Sequence, residues 1–332
     1  MDHSLTALSS RWRWSTFLFS AMILAEFFPL SQQLSYDYYD NVCPQAERTV
    51  RASISSNLAG DPTAAAALLR LAFHDCQVGG CDASIMLNSQ GGITSEMVAS
   101  KNFGIRRLNL IDNAKAAVDS QCGPGRVSCA DIIAMAGRDA VVFAGGPDFR
   151  IPMGRLDSTF ASNAAADSSL PPTTISVDNF LNLFGSMGMS TEESVAIMGG
   201  GHTLGVGHCV NIVNRLYPNA ESTLSFVYAT RLRVSCPSSD PRFIINATTV
   251  QNDFSSLQFD NQYFREATMG LGLFTIDAAL ASDARTSPIV ARFSQNQNSF
   301  FNAFASAYAK LTSFNVLTGN RGEVRNNCRF VN

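Results

Sequence analysis

The sequence predicts an all-α fold with only minor short β-strands, and three observations support this prediction. Most of the chain after residue 33 repeats apolar residues every three to four positions, the spacing of a helix face. Serine, threonine or aspartate precedes many of these segments, and glycine or proline follows them, as at helix ends. Runs of alternating β-branched and aromatic residues are sparse. With no internal repeat and no linker-like stretch, we expect residues 32–332 to form a single domain.

The composition is that of a protein with a large buried core. The 332 residues are 46% hydrophobic and 15% charged, with a formal net charge of -3. No long basic run and no alternation of basic and aromatic residues occurs. We therefore expect no nucleic-acid partner.

The N-terminus predicts a secretory signal peptide over residues 1–31. Two arginines precede an apolar run over 14–25, which has the length of a signal core but is too short to span a bilayer. Small and polar residues predict cleavage near Gln32 or Gln33. An uncleaved membrane anchor is the alternative, and Glu26 disfavours it. We expect a secreted protein of the extracellular space or cell wall, with no membrane association after cleavage.

The first part of the mature chain predicts three helices. An amphipathic segment over 44–58 begins with a proline, and a second helix follows with Asp61 as N-cap and Pro62 in its first turn. Residues 85–104 are rich in glycine and asparagine and predict a loop. A third helix is expected over 106–120.

The middle of the chain predicts a central core helix. Ser128 is expected to cap a strongly apolar helix that ends at the Gly-Gly-Pro of 145–147, and its apolar residues cover most of its circumference. Residues 148–172 are irregular, with short strands expected near 149–152. Another amphipathic helix is predicted over 176–187.

The last part of the chain predicts further helices. Residues 190–193 form a capping-box pattern ahead of a helix that carries GGGHTLG. The segment 217–262 is loop-rich, and helix resumes over 259–269. An extended or turn segment is expected over 270–283, and one long aromatic-rich helix over 294–314.

Eight cysteines lie outside the predicted signal, and in an exported chain an even number predicts four disulfides. Eight cysteines allow 105 pairings, of which only the local pair Cys76–Cys81 is favoured by its short loop. A zinc site is the alternative, but no repeated CxxC spacing supports it. Asn246 begins an Asn-Ala-Thr sequon and is the expected glycosylation site.

The stretch LLRLAFHDCQVGGCDAS, residues 68–84, carries the densest chemistry. Arg70, Phe73 and His74 are spaced i, i+3 and i+4 and share one helix face. A permanently charged guanidinium, an aromatic wall and a titratable imidazole suit proton transfer on a small polar substrate.

Two further histidines follow in the chain. His202 comes directly after three glycines, which are expected to let a bulky planar group approach the backbone. His208 lies six residues later, the wrong spacing for a shared helix face, and is taken as structural. Two histidines on separate helices with Arg70 suit a metal, a haem or a hydrolytic site. A serine hydrolase is poorly supported because no G-x-S-x-G occurs.

Four motifs together resemble the secretory plant peroxidases, the class III haem peroxidases: RLAFHDCQVGGCDASIML, VSCADIIAMAGRDAV, GGPDFRIPMGRLDS and GGGHTLG. The resemblance covers the chain from about Gln33 to Asn332. It implies the haem-dependent peroxidase fold, two helical halves that sandwich one haem b. It also implies a monomer that reduces hydrogen peroxide and oxidises small phenolic donors in two one-electron steps through an oxoferryl intermediate. The rival interpretations are a low-turnover haem- or Ca²⁺-binding cell-wall protein and a disulfide-rich hydrolase.

On one side of the haem, the distal side, the resemblance assigns His74 as the acid/base and Asn102 as the residue that orients it. It also implies that Arg70 stabilises negative charge as the peroxide bond breaks and that Phe73 shields the iron from bulky molecules. Pro171 and Arg70 help to place the phenolic donors.

On the proximal side, His202 is the expected iron ligand and Asp277 its hydrogen-bond partner, which raises ligand basicity. Without the resemblance, Asp277 would be taken as an exposed turn residue.

The resemblance also implies a distal Ca²⁺ site, with Glu96 joining through a water. Its expected ligands are Asp75, Val78, Gly80, Asp82 and Ser84, a set of hard oxygen donors in a tight loop. From the residues alone, a solvated turn is at least as well supported.

A proximal Ca²⁺ site matches the family pattern less well. Thr203 and Asp260 match, but Asn252 and Ser255 occupy positions where the family usually has an aspartate and a threonine. Asp253 is a possible substitute, with a backbone carbonyl from Gln258. A lost carboxylate predicts weaker binding.

The family's disulfide pattern implies four pairs, which are Cys43–Cys122, Cys76–Cys81, Cys129–Cys328 and Cys209–Cys236.

Overall fold

The computed structural model describes Met1 and residues 34–238 and 248–332. The rest of the predicted signal segment, its cleavage point near Gln32 or Gln33, and the sequon at Asn246 lie outside the described residues. Within the described part there are thirteen α-helices and one two-stranded sheet, which confirms the all-α prediction. From Leu34 onward, the described residues belong to one compact unit.

The helices run through the whole described chain. In order they are α1 (Ala46–Gly60), α2 (Ala64–Gln77), α3 (Leu108–Cys122), α4 (Cys129–Phe143), α5 (Asn163–Ser169), α6 (Val177–Ser186), α7 (Thr191–Thr203), α8 (Val213–Leu216), α9 (Phe226–Ser235), α10 (Gln262–Thr268), α11 (Thr275–Ser282), α12 (Ser287–Gln295) and α13 (Gln297–Leu311). Strands β1 (Val206–His208) and β2 (Thr249–Gln251) pair antiparallel, with Val206 opposite Gln251. Four short 3₁₀ turns complete the described elements: Ser84–Met86, Glu96–Val98, Ser100–Asn102 and Cys209–Asn211.

Helix α4 is central to the core, as its apolar sequence predicts. Every residue from Cys129 to Val141 is buried, and α1 and α2 pack against it. The Ser128 hydroxyl accepts the backbone N–H of Asp131 at 3.1 Å, which confirms the predicted cap. A β-carbon on Gly137 would lie 2.2 Å from the Tyr308 hydroxyl, so this glycine lets α13 approach α4 closely.

Helix α7 packs against α13 and α10, and this corrects one expectation about its glycines. A β-carbon on Gly199 would lie 2.2 Å from the Phe264 ring, and one on Gly200 would lie 2.3 Å from the Phe304 ring. These two glycines therefore serve core packing and do not leave room for a planar group. Gly201 alone of the three faces open space.

Several predicted boundaries are wrong. Helix α2 begins at Ala64, and Asp61 is not its N-cap but accepts the Thr63 backbone N–H at 3.2 Å in the turn before it. The expected strands near 149–152 are absent from the described sheet, and Met153 makes only an isolated bridge to Ser35. The short helix α5 lies in the segment expected to be irregular.

The C-terminal elements also differ from the prediction. The segment 270–283, predicted to be extended or turn, contains α11, because Asp277 accepts the Phe274 backbone N–H at 2.8 Å and closes the first turn. The expected single helix over 294–314 is two helices, with Asn296 ending α12 and capping α13 through the Ser299 N–H.

The four disulfides have the pairing that the family resemblance implies: Cys43–Cys122, Cys76–Cys81, Cys129–Cys328 and Cys209–Cys236. Among the described helices, none combines the length and the apolar character that a membrane span requires.

Candidate active site

His74 is held by two neighbours on opposite sides of its ring. Its Nδ1 lies 2.6 Å from Oδ1 of Asn102, and Nε of Arg70, one turn earlier on α2, donates to its Nε2 at 3.1 Å. Because an amide oxygen only accepts, Nδ1 carries the proton and Nε2 presents its lone pair. Asn102 is fixed in turn, since its Nδ2 donates to the Glu96 carbonyl at 2.8 Å.

The surroundings keep His74 neutral. Burial and the nearby Arg70 charge lower its pKa to about 3, although the hydrogen bond to Asn102 acts in the opposite direction. His74 is therefore a base ready to accept a proton at any pH well above 3. Burial also lowers the pKa of Arg70, to about 10.

Arg70 and Phe73 are fixed by the loop and helix that face α2. Nη2 of Arg70 donates to the carbonyls of Lys101 and Phe103, at 3.3 and 3.0 Å. The Phe73 ring packs 5.8 Å from the His74 ring and 6.3 Å from Phe184 on α6. The predicted triad on the α2 face is therefore preorganised.

Pro171 follows Leu170, whose side chain packs in a small apolar cluster with Phe73. The Leu170 carbonyl accepts the Lys101 ammonium at 2.5 Å, so the chain before Pro171 is tied to the loop that holds Arg70. Pro171 therefore directly follows a residue of the cluster against which Phe73 packs.

His202 lies in the last turn of α7 and is oriented by a buried carboxylate. Its Nδ1 lies 2.8 Å from Oδ1 of Asp277, which is 1% exposed and also accepts the backbone N–H of Phe274. The His202 ring lies 4.9 Å from that of Phe274. With Nδ1 engaged, Nε2 is the nitrogen left to bind a metal. This donor set fits the haem iron that the family resemblance implies.

Tyr263 is a member of this site that sequence reasoning missed. Its hydroxyl donates to Oδ1 of Asp277 at 3.0 Å, the same oxygen that His202 contacts. Burial and the Asp277 charge raise its pKa well above the usual value, so it remains a donor. No motif marks it, because a tyrosine in an aromatic-rich helix is typical of a core.

The segment after His202 turns back onto α2. A β-carbon on Gly205 would lie 2.8 Å from that of Ala66, and one on Gly104 would lie 2.8 Å from His208 Nε2 and 3.1 Å from Arg70 Nη1. His208, a structural histidine by its spacing, and Arg70 therefore both lie against Gly104. Because the two residues are far apart in sequence, no local pattern predicts that both lie against Gly104.

The loop after His74 buries acidic oxygens that lack protein partners. Asp75 Oδ2 accepts the Ala83 N–H at 3.1 Å, but its Oδ1 has no hydrogen bond in the described structure, and neither has Ser84 Oγ or Glu96 Oε2. Burial raises the pKa of Asp75, Asp82 and Glu96, to about 6 for Asp82 and about 8 for Glu96. Buried, unpaired oxygens of this kind fit a hard cation.

The remaining expected ligands of the distal site are backbone groups, from Val78 and Gly80. A β-carbon on Gly80 would lie 2.2 Å from the Asn315 carbonyl oxygen, so only glycine fits at this turn. No group of three His, Cys, Asp or Glu side chains in the described part has metal-binding geometry by itself. A site here must therefore draw on carbonyl and hydroxyl oxygens as well as carboxylates.

The proximal candidates also come together. The Thr203 hydroxyl donates to Asp253 at 2.7 Å, and the Ser255 hydroxyl donates to Asp260 at 2.9 Å. Asn252 donates from Nδ2 to the Leu204 carbonyl, and its buried Oδ1 has no partner in the described structure. Burial raises the pKa of Asp253 to about 7. These oxygens fit a cation site that retains two carboxylates; Gln258 contributes a backbone N–H to the Ser255 carbonyl.

Comparisons with known proteins show that this chain is similar to peroxidases. The family model described as peroxidase matches residues 49–296. The chain is 47% identical over 304 residues to Peroxidase 29 of Arabidopsis thaliana, covering 90% of this chain and 89% of the relative. It is 38% identical over 305 residues to cationic peroxidase SPC4 of Sorghum bicolor, with 90% and 82% coverage. To Peroxidase 57 of Arabidopsis thaliana it is 40% identical over 319 residues, with 94% and 97% coverage.

Proposed function

We propose that this chain, which belongs to the peroxidase family and within it to the secretory plant (class III) peroxidases, uses His74 and His202 in two different roles. The chain is a haem peroxidase that acts on hydrogen peroxide; the low-turnover binding protein is not favoured. His74 is the acid/base, and His202 is the iron ligand. The residue roles, the calcium sites and the donor class are the proposal.

One observation carries the assignment of roles. Both histidines have Nδ1 held by a neighbour, but the partner of His74 is the amide of Asn102 and the partner of His202 is the carboxylate of Asp277. The Nε2 lone pair of His74 faces the Arg70 Nε–H, on the side where the acid/base chemistry is proposed. A neutral amide orients a ring without adding charge, which suits an acid/base that must stay neutral. A carboxylate makes the imidazole a stronger ligand.

Bound haem b, one per chain, supplies the redox chemistry. His74 Nε2 takes the proton of hydrogen peroxide and later returns it to the leaving oxygen. Arg70 stabilises the negative charge that develops on that oxygen, an effect typically of about 3 kcal/mol for one preorganised donor. Phe73 limits access to small molecules, and Pro171 with Arg70 positions the phenolic donors that are oxidised one electron at a time.

Calcium is proposed at both loops. The unpaired oxygens of Asp75, Ser84 and Glu96 support the distal ion, with Asp82 and the Val78 and Gly80 carbonyls completing the set. The proximal ion is held more weakly, because Asn252 and Ser255 supply neutral oxygens beside Asp253 and Asp260. The proximal set also includes Thr203 and the Gln258 carbonyl.

The remaining proposals concern the mature protein. We infer a monomer with a single domain over 32–332, released by cleavage near Gln32 or Gln33 and glycosylated at Asn246. Four disulfides support an extracellular location, because such bonds persist in oxidising compartments.

Two variants test the roles. His74→Ala should retain the Soret band of bound haem but lose most of its rate of reaction with peroxide, measured by stopped flow. His202→Ala should instead change the haem spectrum itself, because the iron loses its ligand. A near-normal peroxide rate in His74→Ala would contradict the acid/base assignment. An unchanged spectrum in His202→Ala would contradict the ligand assignment.

A further inference from the structure

The carboxylate of Asp277 receives hydrogen bonds from three different parts of the chain. Its Oδ1 lies 2.8 Å from Nδ1 of His202 and accepts the hydroxyl of Tyr263 at 3.0 Å, while its Oδ2 accepts the backbone N–H of Phe274 at 2.8 Å. Asp277 is buried, and no described lysine or arginine forms an ion pair with it. Because an ionised carboxylate only accepts, these three donors share its negative charge.

Tyr263 is held so that its hydroxyl stays on this oxygen. It is a buried residue in the first turn of α10, and its ring packs edge-on against the rings of Phe264 at 5.0 Å and His202 at 6.1 Å. The start of α10 is fixed by Asn261, whose Nδ2 donates to two carbonyls in the last turn of α12 at 2.8 and 3.0 Å. Packing therefore positions the hydroxyl on the same oxygen that His202 contacts.

The two donors on Oδ1 compete for the same negative charge. A carboxylate behind a metal-binding histidine attracts the Nδ1 proton, so the ring becomes more anionic and a stronger ligand. A phenol hydroxyl on that oxygen withdraws part of the charge, because a hydrogen bond to an ionised acceptor is a strong one. Tyr263 therefore makes Asp277 a weaker acceptor, and it leaves His202 closer to a neutral imidazole.

Tyr308 shows what a purely structural tyrosine does in this fold. Its hydroxyl donates to the backbone carbonyl of Ala134, also at 3.0 Å, and the bond joins α13 to α4. Buried tyrosines usually find such a partner, and this one is uncharged. The hydroxyl of Tyr263 instead donates to the carboxylate that orients the proposed iron ligand.

We propose that Tyr263 is a positioning residue that raises the reduction potential of the bound haem iron, by limiting the negative charge that Asp277 places on His202. A less anionic ligand stabilises the ferric state less, and hydrogen bonds behind the axial ligand are one of the means by which a protein sets this potential. The bound iron is then a stronger oxidant toward the electron donors. This inference rests on the proposed function, because it assumes that His202 binds the iron.

Tyr263→Phe removes only the hydroxyl and should lower the midpoint potential of the ferric/ferrous couple. At a fixed applied potential, the ratio of ferrous to ferric iron should fall about three- to tenfold, which corresponds to about 30–60 mV for a one-electron couple. In the ferrous enzyme, the Fe–His stretching frequency in the resonance Raman spectrum should rise, because His202 becomes a stronger ligand. Both quantities are measured on the purified holoenzyme without turnover.

Asp277→Asn is the comparison that separates charge from support. This variant removes the negative charge behind His202, so the potential should rise and the Fe–His frequency should fall. If Tyr263 only held Asp277 in place, Tyr263→Phe would weaken the bond to His202 and shift both quantities in the same direction as Asp277→Asn. We expect opposite directions in the two variants, and the same direction in both would overturn the proposal.

Tyr308→Phe is the matched control, since it removes the hydroxyl of another buried tyrosine. Its potential and Fe–His frequency should equal those of the wild type, and a shift as large as that of Tyr263→Phe would assign the effect to lost packing. A second substitution places 3-fluorotyrosine at position 263, which keeps the side chain but has a more acidic hydroxyl. It should raise the potential, and an unchanged potential in both variants of Tyr263 would contradict the proposal.

The Fe–His band also separates failure of this inference from failure of the proposed function. If the band disappears in His202→Ala, His202 is the ligand, and unchanged values in Tyr263→Phe then overturn only the role of Tyr263. If the band persists in His202→Ala, another residue binds the iron. That result would contradict the proposed function itself, and with it this inference.

Discussion

At the scale of single residues, Asn102 connects the acid/base to the loop that supports it. Its Oδ1 contacts His74 Nδ1 at 2.6 Å, and its Nδ2 donates to the Glu96 carbonyl at 2.8 Å. The oxygen of the Asn102 amide thus holds the His74 ring, and its nitrogen holds the backbone of Glu96. Asn102 therefore sets which ring nitrogen of His74 carries the proton, while burial and Arg70 keep the ring neutral.

Asn102→Ala should slow the reaction with peroxide by about 10- to 100-fold, the usual cost of losing a group that orients an active histidine. The Soret band should stay, because His202 is untouched. Ser100→Ala is the control: Ser100 lies in the same turn, but its hydroxyl bonds Asp167 at 2.8 Å. Equal slowing in both variants would show that the turn, and not the amide, is responsible.

Asn102→Asp should change the pH dependence in a defined direction. Burial and the Arg70 charge hold the pKa of His74 at about 3, so the wild-type rate with peroxide should fall only as the pH approaches 3. A carboxylate at 102 favours the charged imidazolium and raises this pKa. The fall in rate should therefore begin at higher pH in the variant, as stopped-flow measurements across pH would show. A shift to lower pH would contradict the assignment.

At the scale of elements, the loop proposed to bind calcium (residues 75–84) and His74, the proposed acid/base, are parts of one segment. Asp75 follows His74 directly, and Glu96 offers its side chain to the buried oxygen cluster while its carbonyl holds Asn102. An ion bound by Asp75 and Glu96 would hold in place both the residue that follows His74 and the residue whose carbonyl holds Asn102.

Removing Ca²⁺ should lower both stability and the rate with peroxide. At free Ca²⁺ of 100 times the Kd, the folded state gains about 2.7 kcal/mol, which chelation removes as a lower melting temperature. Ca²⁺ should restore both quantities better than Mg²⁺, which demands stricter geometry. In Asn102→Ala, chelation should affect the rate less, because the link to Glu96 is already lost. Full activity after complete removal would contradict this coupling.

The N-terminus of α7 is fastened to α13 by Glu193. Its carboxylate accepts the Ser190 N–H at 2.7 Å, the Lys310 ammonium at 2.8 Å and the Ser306 hydroxyl at 2.7 Å. Burial alone would raise the pKa of Glu193, but these donors outweigh it and lower the pKa to about 2. The helix that ends in His202 is thereby anchored at its start.

Glu193→Gln should lower the free energy of unfolding at pH 7 by about 1–2 kcal/mol, because Lys310 is partly exposed. Because the pKa of Glu193 is lower in the folded state than in the unfolded state, its ionised carboxylate contributes its full stabilisation above the unfolded pKa of about 4.5. This contribution is lost as the pH falls from there through the folded pKa of about 2. The difference in melting temperature between variant and wild type should shrink over that range. Glu192→Gln, in an exposed ion pair, is the control and should change little. A constant difference across pH would contradict the charge argument.

At the scale of the whole molecule, Asp157 joins the core helix to the C-terminus. Its buried carboxylate accepts the N–H groups of Cys129 and Ala130 at the start of α4 and that of Arg325 near the chain end. The disulfide Cys129–Cys328 closes the same junction over a sequence separation of 199. Loops of this length gain most from a cross-link in the chain-entropy model.

Replacing Cys129 and Cys328 together by alanine should cost about 2–5 kcal/mol of stability, measured by thermal or urea unfolding. The matched control replaces Cys209 and Cys236, whose bond spans only 27 residues, and should cost less. The reverse order would show that local strain or packing, rather than loop length, decides the contribution of each bond.

The sequence by itself determined the helical class, the caps at Ser128 and Ser190, and the identities of His74, Arg70 and His202. Caps and helix faces involve residues within about four positions, so a linear pattern records them. The family motifs then carried the disulfide pairing and placed Asp277, whose bond to His202 spans 75 residues. From local patterns alone, Asp277 would be predicted to be an exposed turn residue.

Only the tertiary structure decided the long-range contacts. It places Tyr263 on Asp277, turns Gly199 and Gly200 toward phenylalanines, and brings His208 beside Arg70. Each of these depends on how separate helices pack, which no spacing within one segment specifies. The main chemical groups of the site could therefore be predicted from the sequence, while the residues that other helices bring next to them could be identified only in the packed fold.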